Sequence, residues 1–253
     1  MGQQATPVRT AGLGKAVGPV PTAVSGAVLL LPGGEEASTR RPSPVRATIA
    51  LRSLGRRLAR AGREEGLAVH AVHYRCRGWN GSEAHLAADA EWAADEVVRR
   101  YGDVSVCLVG VDMGGRAALR AGGHEAVNSV VALAPWLPED DVAAPAEPVK
   151  QLVGRRVLIV HGTNDERTDP ELSFRFAARA KKVNREVCRF EVHSDGHGLH
   201  GHRDEVASLA VDFMMGALFG HPVSRPVEDA LAAPPPIGLR MPLAAGFGRS
   251  LRR

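Results

Sequence analysis

The chain has 253 residues, 44% of them hydrophobic and 24% charged, with a formal net charge of +4. That is length enough for one well-covered core, and the balance excludes both a disordered chain and a membrane-embedded one. Arginine outnumbers lysine 28 to 4; with abundant Ala and Gly this reads as GC-rich coding bias, and with no reader motif beside it nucleic acid is not the expected partner.

In chain order, residues 1–23 mix Gly, Pro, Ala and Thr without periodicity and predict a flexible N-terminal arm. The apolar run 27–31, closed by Pro32-Gly33-Gly34, predicts a buried strand. A helix follows over 48–61, where Arg56, Arg57 and Arg60 make a solvated face, then a strand over 67–74. Helical spacing of apolar residues predicts a long helix over 83–101. Beyond it come a strand at 104–109, a helix at 113–121 and strands at 127–133 and 157–160. A helix at 170–183, a strand at 187–192 and an amphipathic helix at 204–219 close the domain. Residues 221–253, with Pro234-Pro235-Pro236 and an Arg-rich end, predict a disordered tail. The domain therefore spans 24–220. Short apolar strands alternating with helices specify an α/β fold, a mostly parallel central sheet with helices on both faces.

The three cysteines, Cys76, Cys107 and Cys188, are an odd number without metal-ligand spacing. No run is long enough to span a membrane and no charged-then-apolar signal segment opens the chain, so a cytoplasmic protein is expected. No cofactor is implied.

In parallel sheets chemistry collects at the carboxyl ends of the strands. After 104–109 comes Gly110-Val111-Asp112-Met113-Gly114. Small residues at 110 and 114 let a strand turn sharply into a helix and force residue 112 outward. An Asp before a helix can equally be an N-cap. The strand near 160 leads to Asp165, and the last one to Ser194-Asp195-Gly196-His197-Gly198. His193, His197, His200 and His202 with Asp195 also admit a metal reading, but no Cys or helical His pair supports it, and no metal is expected.

The order Asp112, Asp165, His197 resembles the nucleophile, acid, histidine order of the α/β-hydrolase superfamily, and segments 29–34, 108–119, 157–165 and 192–199 carry the likeness. Residues 74–79, 113–119 and 134–138 look like small, lidless bacterial members. The resemblance implies an α/β-hydrolase fold with no substantial cap domain. It makes His197 the base, Asp165 the acid that orients it, and the backbone N–H groups of Met113 and of Gly34 or Glu35 the oxyanion hole. Arg75, Arg77, Trp79 and Trp136 follow strands on the active face: the arginines are candidates to bind an anionic substrate group or to pair with Glu35, Glu36 or Glu139, and the tryptophans to line the pocket or to be packing residues.

Where the superfamily usually has serine, this chain has Asp112. A carboxylate attacking an acyl group would form an anhydride; it is better suited to displacing a leaving group from saturated carbon or opening an epoxide. Haloalkane dehalogenases and epoxide hydrolases of the superfamily use an aspartate in that way. This chain differs in having Met113 after the nucleophile instead of Trp, and only about twenty residues where a cap would be inserted. The expectation is a hydrolase of a small-molecule substrate using an Asp112-His197-Asp165 triad, with Asp112 as nucleophile or as water-activating carboxylate. The alternative is a non-catalytic protein of the same fold that binds a small molecule or a partner.

Overall fold

The computed structural model describes residues 9–18, 22–42, 46–139 and 146–248. Its elements, in chain order, are β1 (Gly12–Ala16), β2 (Gly26–Leu31), α1 (Arg46–Ala61), β3 (Leu67–His73), α2 (His85–Tyr101), β4 (Ser105–Val111) and α3 (Met113–Ala121). They continue with β5 (Val127–Leu133), β6 (Arg156–Gly162), α4 (Pro170–Val183), β7 (Val187–Val192), α5 (Arg203–Phe219), α6 (Arg225–Ala232) and β8 (Met241–Pro242). The strands form one sheet in the order β1-β3-β2-β4-β5-β6-β7-β8. All neighbours run parallel except the β1–β3 pair.

The sheet is apolar because both of its faces are covered. Every residue of β2 is buried, as strands under crossover helices on both sides must be. On one face α2, α3 and α4 pack through Leu86, Ala94, Leu119 and Phe176. On the other, α1, α5 and α6 pack through Leu58, Leu209, Phe213 and Val227. The buried stripe of α2, Ala87, Ala90, Ala94 and Val97, has helical spacing and mostly small side chains. α4 starts where Asp169 accepts the Glu171 N–H at 2.8 Å, with Pro170 in the first turn. Because β2 through β7 are parallel, their carboxyl ends share one edge, where the candidate residues fall. Cys76, Cys107 and Cys188 are free and buried.

The two expected floppy ends need correction. Within the arm expected at 1–23, β1 adds an antiparallel edge to β3, with Leu13 opposite Val72. The His70 ring ties it down, bonding the Gly14 carbonyl through Nδ1 and the Tyr101 hydroxyl through Nε2, both at 2.8 Å. Residues 1–8 and 19–21 of that arm lie outside the described residues. The tail expected to be disordered folds as far as residue 248. α6 buries Val227 and Ala230, and β8 pairs with β7. Two cations hold it. Lys181 Nζ donates to the Leu231 carbonyl at 2.8 Å, and buried Arg189 donates to that of Leu239 at 2.9 Å. These bonds satisfy carbonyls that the tail would otherwise have to leave in water.

In the β5–β6 connection the described helical element is a single 3-10 turn, Lys150–Leu152; residues 140–145 lie outside the described residues. Glu147, buried there, pairs with Arg116 and Arg120 of α3. No helix among the described residues is long and apolar enough to cross a membrane.

Candidate active site

Asp112 sits between β4 and α3 at φ 55°, ψ −125°, a conformation that costs a non-glycine residue of order 1–3 kcal/mol. The glycines beside it impose this geometry. A Cβ on Gly110 would run into the backbone of Gly114, and one on Gly114 into the carbonyls of Leu31 and Pro32. The turn can close only with both glycines present. The Asp112 side chain makes no cap bond to α3, so the N-cap reading is set aside. Instead the Asp112 carbonyl accepts the Gly115 and Trp136 N–H groups, and its carboxylate is turned toward the end of β2.

His197 and Asp165 meet it from the neighbouring loops. The His197 Nδ1–H donates to Asp165 Oδ2 at 2.9 Å, while Nε2 faces Asp112 Oδ1 at 3.8 Å. The second separation is longer than a hydrogen bond. Positive φ at Ser194 and Leu199 bends the loop that carries His197. Two of the other histidines of this loop are engaged elsewhere: His202 Nδ1 bonds Asp195 at 3.1 Å, and His200 accepts from Arg203 at 2.9 Å. Among the described residues no cluster of His, Cys, Asp or Glu could hold a metal ion.

Asp165 is a buried carboxylate with donors on both oxygens. Oδ1 accepts the Arg167 and Thr168 N–H groups at 2.9 and 3.0 Å. Oδ2 accepts the Thr168 hydroxyl at 2.6 Å and His161 Nε2 at 3.1 Å, besides His197. Burial alone would raise its pKa. The bonds from His161, Thr168 and His197 outweigh burial and hold the carboxyl well below the usual range. His161 is itself fixed by Ser173 Oγ at 2.8 Å.

Asp112 is pulled the other way. Burial raises its carboxyl above the usual range, against the opposing effects of Arg167, His197 and the Met113 N–H; the charge of Asp165 adds to the rise. Arg167 Nη2 donates to Asp112 Oδ2 at 2.9 Å from a largely exposed side chain. A Cβ on Gly33 would stand 2.9 Å from that same Oδ2, so the glycine lets the carboxylate lie against the β2 loop. The Met113 N–H, expected to serve a substrate oxygen, also lies near enough to the Asp112 carboxylate to favour its charged form. Glu35 must be removed from the expected donors, because its N–H is bonded to the Arg77 carbonyl at 2.8 Å. That leaves Gly34 beside Met113.

The four expected substrate contacts divide. Trp79 is buried in the core with the Arg116 guanidinium 3.9 Å from its ring centre, and the same guanidinium lies 5.1 Å from the ring centre of Trp136. Neither lines the active-site cavity: they are packing residues. Arg75 and Arg77 do line it, but each is held. Arg75 is bound to buried Asp89 at 2.5 Å and Arg77 to Glu35 at 2.8 Å. The cavity, about 1170 Å³, opens over Asp112 and His197. Arg167, Thr168 and His161 were not among the residues expected at the site. Arg167 and Thr168 were marked only by following Asp165 closely in the same loop.

Comparison with known proteins places this arrangement. A lidless α/β serine hydrolase from Xanthomonas campestris superposes with a TM-score of 0.56 at 16% identity, over 84% of this chain and 90% of that one. An esterase from Pyrococcus furiosus gives 0.59 at 16%, over 77% and 83%. This chain has the α/β-hydrolase fold. A serine hydrolase homologue from Coxiella burnetii, at TM-score 0.54 and 17% identity, covers 79% of this chain and 89% of its own. The family model of the prolyl oligopeptidases matches residues 132–218, a stretch that holds Asp165 and His197 but not Asp112. No curated protein matches the sequence. In this α/β-hydrolase-fold chain the sharp turn, the acid loop and the histidine loop stand together, with a carboxylate at the turn.

Proposed function

We propose that the protein is a hydrolase in which Asp112 attacks saturated carbon and His197 then hydrolyses the resulting ester. One observation carries this reading. The two oxygens of Asp112 have different surroundings: Oδ2 is anchored by Arg167 at 2.9 Å, and Oδ1 faces His197 at 3.8 Å without a bond to it.

In the first step Oδ1 forms a bond to a substrate carbon; with a halide the carbon–halogen bond breaks and the halide departs with the electron pair, and with an epoxide a ring carbon–oxygen bond breaks and the freed oxygen takes a proton from water. Water then gives a proton to His197 Nε2 and attacks Cγ of Asp112. Negative charge develops on Oδ2, beside Arg167, a donor already in place, with the Met113 N–H near the same carboxyl. Collapse expels the product oxygen, which takes the proton from His197 and leaves as an alcohol. The anion-stabilising donors thus act on the enzyme's own carboxyl, which suits an aspartate nucleophile better than acyl transfer from an ester or peptide.

The Arg167–Asp112 pair also favours a second reading, a non-catalytic pocket in which the carboxylate is neutralised for binding. A panel of alkyl halides, epoxides and activated esters separates the two. The hydrolase reading expects turnover of a halide or epoxide and none of the esters above background. Turnover of esters alone contradicts it, and binding without turnover of any class supports the non-catalytic reading.

A further inference from the structure

The charge of the cavity is unevenly compensated. Four of its arginines have a carboxylate partner: Arg57 with Asp204, Arg75 with Asp89, Arg77 with Glu35 and Arg167 with Asp112. Three others that line it do not, among the described residues. Arg9 donates to the Thr39 carbonyl at 2.8 Å, Arg203 donates to His200, and Arg41 has no such partner. All three are exposed, at the rim. The only carboxylates among the lining residues, Asp112 and Asp204, are already paired.

Beneath this rim the wall is apolar, with Leu54, Val72, Leu133 and Val206. The cavity thus presents an apolar slot with a cationic mouth.

We infer that the cavity takes a small molecule with an apolar body and an anionic end group, a carboxylate or a phosphate, held at the mouth by Arg41 and Arg203. This rests on the reading of the cavity as a substrate site, but its test is a binding test that needs no turnover. The arginines expected from sequence to meet such a group, Arg75 and Arg77, are held by Asp89 and Glu35, so recognition moves to the rim.

The test uses the full-length protein and titration calorimetry with three probes of one shape: 4-phenylbutyrate, its amide, and 3-phenylpropyl phosphate. At least one anion is expected to bind about tenfold or more tightly than the amide, with the advantage shrinking between about 50 and 500 mM salt as screening grows. Which anion binds better identifies the end group. In Arg41→Gln/Arg203→Gln the advantage should fall below about threefold, with binding of the amide unchanged. Equal binding of anions and amide, or an advantage that survives the double substitution, overturns the inference. Anion binding without turnover in the reaction panel upholds it while removing the hydrolase reading, so the two fail separately.

Discussion

His197→Ala should convert the protein from one that turns over a halide or epoxide into one that stops after a single chemical event. The first step needs only Oδ1 of Asp112, whereas the second needs a base for water, and Nε2 of His197 is the nitrogen that faces this carboxylate. Loss of a positioned general base costs about 10²–10⁴-fold, and here the whole loss falls on ester hydrolysis. The expected signature is a stable mass increase on the peptide carrying Asp112, accompanied, when the substrate is a halide, by one equivalent of released halide per protein. Steady-state turnover should fall by about 10³-fold. If the variant instead turns over normally, or releases leaving group with no mass on Asp112, His197 does not act on an Asp112 ester. The Arg167 contact should persist in this variant, since it does not involve the imidazole.

The second large effect is expected at Asp165. Asp165→Asn keeps the shape but removes a buried charge that gathers Thr168, His161, His197 and two backbone N–H groups. Breaking a buried charged network costs about 3–5 kcal/mol, and at about 2–4 °C per kcal/mol for a chain of this size the melting temperature should drop by roughly 10 °C. Turnover should fall by about 10⁴-fold, because an amide here can hold the imidazole in the wrong tautomer. The pH dependence has a definite sign. The Asp165 carboxyl is held below its unfolded value, so its stabilising contribution is fully present above about pH 4 and is lost as pH falls through the folded value. The melting temperatures of wild type and variant should therefore differ most near neutrality and converge in acid. A gap that stays constant down to pH 2 would show that the charge is not what holds this loop.

The elements of the sheet were largely legible from sequence because periodicity and burial agree there. Residues 113–121, 127–133, 170–183 and 187–192 coincide with α3, β5, α4 and β7. The sharp turn could be read because it needs small residues at fixed places, and Gly110 and Gly114 supply them. Composition misled at the C-terminal end. Pro-Pro-Pro and scattered Arg hid the sequence Ser224-Arg225-Pro226, a helix start with Pro in its first turn, and the apolar spacing of Val227, Ala230 and Leu231 that followed it. The bonds that hold this tail, from Lys181 and Arg189, come from distant parts of the chain.

At the site, the meeting of Asp112, Asp165 and His197 could be read because each follows a strand. The role of Arg167 could not, because nothing in a loop sequence says which way a long side chain turns. Nor could the loss of Glu35 as a donor, which depends on a bridge to Gly78 across the sheet edge. For Trp79 and Trp136 the strand-end positions admitted either the pocket or packing, and both rings lie near the guanidinium of Arg116 on α3, outside the cavity lining.

The central claim is that Asp112 bonds covalently to substrate and is then hydrolysed at its own Cγ. A single turnover in ¹⁸O-water, with protein in excess over the halide or epoxide, tests it most directly. The account predicts that the alcohol carries ordinary oxygen taken from Asp112, while the label appears in the peptide containing Asp112. Label in the alcohol, with none in that peptide, would mean that water attacks the substrate itself and that Asp112 never bonds to it.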